Sequence, residues 1–230
     1  MFTSAPVLSS RAFPMRAKVA LAFFVALGTQ ASLPSMPVVG FNDPDALGVA
    51  AQQVGIGLAI GFSVRLVFSA LELAGEVIGF QMGLNFAAFF DPSLNSQSSA
   101  VARLFGQMAT LMFVVMNGHL MVLMAVNNSF RAFPIDQSIL DVFERLGLFR
   151  LGQDIFASAL WIALPMIGML MFANLALGIV SRVAPQMNIF AVGFPITLAV
   201  GLVGIAFTLP MLDQPYMALL ERVIDLYGVY

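Results

Sequence analysis

The fold is decided by residues 46–90, which read ALGVAAQQVGIGLAIGFSVRLVFSALELAGEVIGFQMGLNFAAFF. This stretch carries no charge from Ala46 to Val64, and its apolar character continues past Arg65 to Phe90 with only Glu72 and Glu76 embedded. A helix needs about 20 apolar residues to cross a bilayer core of about 30 Å. The stretch is therefore long enough for two helices or for one bent hairpin.

The composition of the whole chain also favours a protein that lies in a membrane. Hydrophobic residues make up 60% of the 230 residues and charged residues only 10%. Soluble domains carry about 45–50% apolar residues and about 25% charged residues. Such a chain is not an ordinary soluble enzyme or a disordered tail, and a net charge of −2 argues against a nucleic-acid binder. There is no cysteine and one histidine, so we expect no disulfide, no metal site and no cofactor. The remaining classes are an integral membrane protein and a subunit buried in a hydrophobic assembly.

Four further hydrophobic blocks accompany the first. Because backbone polar groups in lipid must be satisfied internally, and no alternating strand pattern occurs, each block is predicted to be helical. Two prolines lie inside blocks and predict kinks there. The sequence thus predicts an all-α, membrane-associated bundle of long kinked helical hairpins. The four blocks are Val19–Leu33, Leu104–Phe130, Ile155–Ser181 with Pro165, and Val183–Leu212 with Pro195.

Glycines recur at four-residue spacing in the 46–90 stretch, at Gly57 and Gly61 and again at Gly75, Gly79 and Gly83. Residues four apart share a helix face, so the glycines form a strip that another backbone can approach closely. The partner is either another helix of this chain or a helix of a neighbouring subunit.

Three ionisable residues of the same stretch lie on one helix face. Arg65, Glu72 and Glu76 are spaced i, i+7 and i+11, which places them within about 40° of one another on a helix. Charges in lipid cost several kcal/mol, so we expect them to face a subunit contact, a wet cavity or a pore. The alternative is an interfacial stretch with solvated charges. A proton relay is less favoured, because no second acidic helix accompanies them.

Aromatic residues Phe86, Phe89 and Phe90 stand just before a polar loop, 94–99. Rings at a helix end commonly anchor at the membrane interface. The more specific interpretation is a plug, in which bulky rings on a loop close a conduit.

Methionine and histidine give weaker signals. Met108, Met112 and Met116 form one stripe at helical spacing. Such a stripe is usually core, and a deformable pore lining is the alternative. The lone His119 is interpreted as a hydrogen-bonded structural group rather than a proton switch.

Four segments resemble the flagellar biosynthetic protein FliR family, in family order. They are ELAGEVIGFQMGLNFAAFFDP at 72–92, NGHL at 117–120, SFRAFP at 129–134 and APVLSSRAFP at 5–14. The C-terminal part is similar mostly in its pattern of two long hydrophobic blocks. FliR is a component of the export gate of the bacterial type III secretion system.

The resemblance implies a non-enzymatic subunit that forms, with FliP and FliQ, a conduit for unfolded flagellar proteins. It implies a place in the bacterial inner membrane, in the flagellar basal body, beside other export-apparatus membrane proteins. Residues 1–150 would be a FliP-like part with the plug loop, and residues 151–230 a FliQ-like hairpin. The family's plug corresponds to the loop after Gly83, with Phe86 and Phe89 as its aromatic pair.

FliR proteins usually carry another hydrophobic helix before the motif at Ala5, so we expect either a start assigned late or an absent helix. The first fifteen residues hold no long apolar core, and no cleaved signal peptide is expected. Two other functions stay open. A self-contained solute or ion transporter would need a midplane site and usually an internal repeat, and no convincing repeat is found. A membrane enzyme is disfavoured by the sparse polar residues.

Overall fold

The computed structural model describes residues 5–6, 14–30, 40, 43–44, 46–84, 98–133, 147–186 and 189–228, without the side chains of 148–149 and 189–190. Within these ranges every regular element is a helix and no strand occurs. The prediction of an all-α fold is confirmed. The helices are α1 (Met15–Gln30), α2 (Ala46–Gln81), α3 (Ala100–Val115), α4 (Gly118–Ala132), α5 (Leu148–Val183), α6 (Ile189–Thr208) and α7 (Asp213–Asp225), with a 3-10 helix, Leu209–Met211, between the last two.

Helix α2 is a single helix of 36 residues. The sequence analysis left two helices or one bent hairpin as alternatives for residues 46–90. Up to Gln81 the structure shows neither, because residues 46–81 form one continuous helix. No proline interrupts residues 46–81. Its interior glycines each cost about 1 kcal/mol in helix propensity, but they permit the close packing described below.

The third hydrophobic block is divided into α3 and α4, which are bent by 69°. Asn117 lies between them in the left-handed region, with φ 56°. The next residue, Gly118, packs on the preceding helix, because a Cβ added there would lie 2.5 Å from Phe113 Cδ2. The predicted helical block is therefore interrupted by local backbone geometry at Asn117 and Gly118.

Three helices are long and apolar enough to cross a membrane: Ala46–Gln81, Arg150–Val183 and Ala191–Met211. The bent pair α3–α4 would make a fourth if it counts as one span. Pro165 and Pro195 lie inside α5 and α6 as predicted, and the kinks themselves stay predictions. Helix α1 buries none of its side chains.

The chain divides into two compact units that each draw on separated segments: residues 1–68, 112–153 and 218–230, and residues 69–111 and 154–217. In the first unit, the rings of Phe68 and Phe113 pack edge to face with centroids 5.4 Å apart. Its buried core includes Ile60, Val64, Val122, Leu151, Leu220 and Tyr227. The second unit has its own core, which includes Leu71, Ile78, Met82, Phe105, Met166, Leu170 and Tyr216.

Candidate functional site

Helices α2 and α3 approach each other closely at two of the predicted glycines. A Cβ at Gly75 would lie 2.8 Å from the Cα of Ala102 and 2.9 Å from the carbonyl oxygen of Val101. At Gly79 the same atom would lie 2.9 Å from Ser99 Oγ. Residues 75 and 79 thus face 102 and 99, so the two helices run antiparallel. Both glycines pack on a helix of their own chain.

The remaining predicted glycines occupy other settings. Gly57 is half-buried and Gly61 is buried, and packing of either against a neighbouring subunit stays a prediction. Gly83 follows the end of α2 with φ +79°. That left-handed conformation favours glycine because other L-residues carry a steric cost there.

Glu76 reaches from α2 to the beginning of α3. Its Oε2 accepts a hydrogen bond of 3.0 Å from the backbone N–H of Ser99. Ser99 Oγ in turn accepts a 3.1 Å bond from the N–H of Ala102. The first N–H groups of a helix have no partner within it, and a nearby carboxylate also favours the positive end of the helix dipole. Glu76 therefore has a structural role inside the chain.

Glu72 and Arg65 are both exposed on α2. A Cβ at Gly106 of α3 would lie 2.9 Å from Glu72 Oε1, so this carboxylate rests in a notch that the glycine leaves. Arg103, which the sequence analysis did not select, is also exposed one turn before Gly106. The structure thus places the Glu72 carboxylate on the outer side of the α2–α3 pair, and its contact with a subunit or a conduit stays a prediction.

The end of α2 is held by α6. The Met82 side chain is fully buried and fills the space left by Gly201, where a Cβ would lie 2.5 Å from its Cγ. Thr197 Oγ1 donates to the carbonyl oxygens of Met82, at 3.3 Å, and of Phe194, at 3.1 Å. The sequence analysis missed Thr197 and Gly201, since nothing in a uniformly apolar helix indicates which residues face a distant turn.

A buried hydroxyl pair links α2 to the C-terminal segment. Ser63 Oγ and Tyr227 OH lie 2.8 Å apart, and 164 residues separate them in sequence. Neither side chain is exposed. Burial raises the pKa of Tyr227 to about 12, an effect that the hydrogen bond with Ser63 partly offsets.

Other predicted residues are placed as follows. Met108, Met112 and Met116 are all half-buried on one side of α3 and the turn after it, and His119 is half-buried in α4. Phe86, Phe89 and Phe90, the predicted plug, lie outside the described residues. Among the residues that are described, no group of three or more acidic or histidine side chains could hold a metal ion.

Three helices that are long and apolar enough to cross a membrane, among described residues that form helices and no strand, define an α-helical membrane protein. Similarity to known protein families narrows this class to one family. The family described as "Bacterial export proteins, family 1" matches residues 1–223, and the chain belongs to it.

Among similar proteins, the flagellar biosynthetic protein FliR of Escherichia coli (strain K12) is 40% identical over 214 residues, which cover 92% of this chain and 81% of that protein. FliR of Pectobacterium carotovorum subsp. carotovorum is 39% identical over 226 residues, which cover 98% of this chain and 86% of that protein. FliR of Bacillus subtilis (strain 168) is 28% identical over 205 residues, which cover 88% of this chain and 79% of that protein.

Proposed function

We propose that this chain is a non-enzymatic subunit of the flagellar type III secretion export gate. In this role it forms with FliP and FliQ the conduit through which unfolded flagellar proteins leave the cell, and it helps to close that conduit. The assembly lies in the bacterial inner membrane at the flagellar basal body, beside other export-apparatus membrane proteins. The observation that carries the proposal is the likeness to Escherichia coli FliR across 92% of the chain.

The composition of the outer surface supports an assembled state. Large apolar side chains are exposed on every long helix, for example Phe62 at 48%, Trp161 at 75% and Phe207 at 74%. Lipid covers part of such a surface, but it is a costly environment for the exposed charges of Glu72 and Arg103. In the proposed gate these charges face a neighbouring subunit, a wet conduit or the water beyond the bilayer.

Closure is assigned to the segment after Gly83. Phe86, Phe89 and Phe90 supply three bulky apolar rings within five residues, and the proposal is that these rings close the conduit. We further propose that residues 1–150 form the FliP-like part and residues 151–230 the FliQ-like hairpin.

Assembly is tested by co-expression with FliP and FliQ, followed by mass measurement of the detergent-extracted particle. The proposal expects one particle that contains all three chains. A chain that is recovered alone from lipid mimic, and that transports a small solute in liposomes, would instead establish the self-contained transporter.

Closure is tested by deletion of residues 86–89 in the assembled complex. The deletion should make the resting gate leak ions, measured as dissipation of the membrane potential, whereas Phe80→Ala at the end of α2 serves as a control outside the segment. An intact ion barrier after the deletion would refute the plug.

A further inference from the structure

The last turns of α5 contribute no side chain to the core of the described chain. None of residues 171–183 is buried, although the preceding turns of the same helix bury Met166 and Leu170. At 1.5 Å per residue, these thirteen residues form about 20 Å of helix. That length of α5 presents its surface to something other than the described part of its own chain.

This end of α5 has two chemically different faces. Successive residues of an α-helix are rotated by about 100°, so Asn174 and Gly178 lie within about 40° of each other. The exposed side chains of Phe172, Ile179 and Val183 lie at least about 100° away from both. A Cβ at Gly178 would have nothing within 4 Å, which leaves an open notch beside Asn174. Small residues permit close contact between membrane helices, whereas bulky apolar side chains suit lipid tails.

Asn174 lies at the level of the hydrocarbon if α5 crosses the bilayer. The nearest charged residues along the helix are Asp154 and Arg182. Asn174 is about 30 Å from the first and about 12 Å from the second, measured along the helix axis. A slab of about 30 Å that leaves both charges outside therefore includes the level of Asn174 in every placement.

The amide of Asn174 needs a polar partner at that depth. Its side chain makes no hydrogen bond with any other residue that the structure describes. By contrast, Ser181 Oγ donates within the helix, at 2.7 Å to the carbonyl oxygen of Gly178. Lipid tails offer neither donors nor acceptors, so an amide that faces them pays an unfavourable transfer free energy. Asparagine side chains in membrane helices meet this need by hydrogen bonding to an adjacent helix.

We propose that the face formed by Asn174 and Gly178 is an interface with a membrane helix of a neighbouring subunit of the proposed gate. The backbone of that helix enters the notch at Gly178, and a hydroxyl, amide or carboxyl side chain of the same helix hydrogen bonds with Asn174. The face of Phe172, Ile179 and Val183 lies against lipid. The inference rests on the proposed function for the identity of the neighbouring chain.

Two matched glycine substitutions test the interface. Gly178→Leu fills the notch, whereas Gly168→Leu adds the same side chain within about 20° of Ile179, on the face assigned to lipid. A Cβ at either glycine has nothing within 4 Å, so both isolated variants should melt in detergent at the same temperature. A lower Tm for isolated Gly178→Leu would mean that this chain covers the face itself, and would overturn the inference.

The tagged chain is then co-expressed with FliP and FliQ, and the amount of each partner recovered per tagged chain is measured by mass spectrometry. We expect Gly178→Leu to lower the recovery of a partner several-fold and Gly168→Leu to leave it at the parent level. A parent chain that recovers neither FliP nor FliQ overturns the proposed function, and this inference with it.

Substitutions of Asn174 separate the hydrogen bond from the packing. Asn174→Leu removes the amide, and Asn174→Gln keeps it. One hydrogen bond between membrane helices corresponds to a factor of roughly three to ten in an equilibrium constant. Asn174→Leu should lower partner recovery by about that factor, and Asn174→Gln should restore part of it.

Lipid or conduit water at this face gives a different result. In either case Asn174→Leu and Gly178→Leu leave partner recovery unchanged, because no subunit contact is lost. Full recovery of FliP and FliQ with either of these two variants, beside a parent complex that contains both partners, overturns this interface alone and leaves the proposed function standing.

Discussion

The hydrogen bond between Ser63 and Tyr227 predicts an asymmetric pair of substitutions. Ser63→Ala leaves the Tyr227 hydroxyl in a fully buried position, and a buried polar group without a partner costs about 1–3 kcal/mol. Tyr227→Phe should cost less, because a helical serine can turn its hydroxyl to a carbonyl of the preceding turn. The double substitution replaces both partners with apolar groups, which is nearly neutral.

The experiment is a double-mutant cycle on the detergent-solubilised complex, read as thermal melting. A change of 1 kcal/mol shifts Tm by about 2–4 °C in chains of 150–250 residues. We expect Ser63→Ala to lower Tm by several degrees, Tyr227→Phe by less, and the double variant by less than the sum. Ser181→Ala is the matched control, since Ser181 Oγ bonds only locally, at 2.7 Å to the carbonyl of Gly178.

Strict additivity of the two single shifts would refute the reasoning. Contacting residues in one hydrogen bond couple by about 0.5–3 kcal/mol, whereas distant sites add. Additive costs would therefore mean that the two hydroxyls do not interact in the folded chain.

Three other predictions follow from packing and ionisation. Gly75→Val should block the docking of α3 on α2, because the added atoms meet the backbone of Ala102. Gly48→Val is the control, since a Cβ there has nothing within 4 Å. Limited proteolysis of the complex compares the two variants. Glu76→Ala removes the acceptor of the Ser99 N–H and should destabilise the start of α3 by about 0.5–1.5 kcal/mol, the net contribution of one hydrogen bond. Glu76→Gln keeps an acceptor and should cost less; hydrogen exchange at the Ser99 amide measures the difference. The pKa of Tyr227 is about 12 in the folded chain and 10.0 in the unfolded chain. Because the unfolded chain loses this proton first, the contribution of Tyr227 to stability is complete below pH 10 and is lost as pH rises towards 12. Tyr227→Phe should therefore flatten the fall in Tm over that range.

The fold class was predictable because it depends on quantities that sum over many residues. Long charge-free runs require helices wherever lipid surrounds the backbone, and that argument does not depend on any contact. The close approach at Gly75 and Gly79 was predictable for a similar reason, since four-residue spacing fixes a helix face. Whether that face met its own chain or another was undetermined, because spacing carries no information about the partner.

The break between α3 and α4 and the hydroxyl contacts were not predicted. The dipeptide Asn117-Gly118 is a recognised turn signal, but it lies within a long apolar block, and the sequence analysis predicted no break there. The pairing of Ser63 with Tyr227 joins residues 164 positions apart, and no local pattern specifies it. Glu76 was recognised as a charge that needed a partner, yet the partner, the amide of Ser99, is a backbone group that sequence patterns do not reveal.

The length of α2 restricts how it can be oriented in a bilayer. At about 1.5 Å per residue, 36 residues form a rod of about 54 Å, whereas observed transmembrane tilts of up to about 40° shorten its vertical projection only to about 41 Å. The rod therefore protrudes from a hydrocarbon slab of about 30 Å at any such tilt. When Ala46–Val64 fills the slab, the turns that carry Arg65, Glu72 and Glu76 emerge beyond it, where the environment of a charged side chain is less costly than lipid.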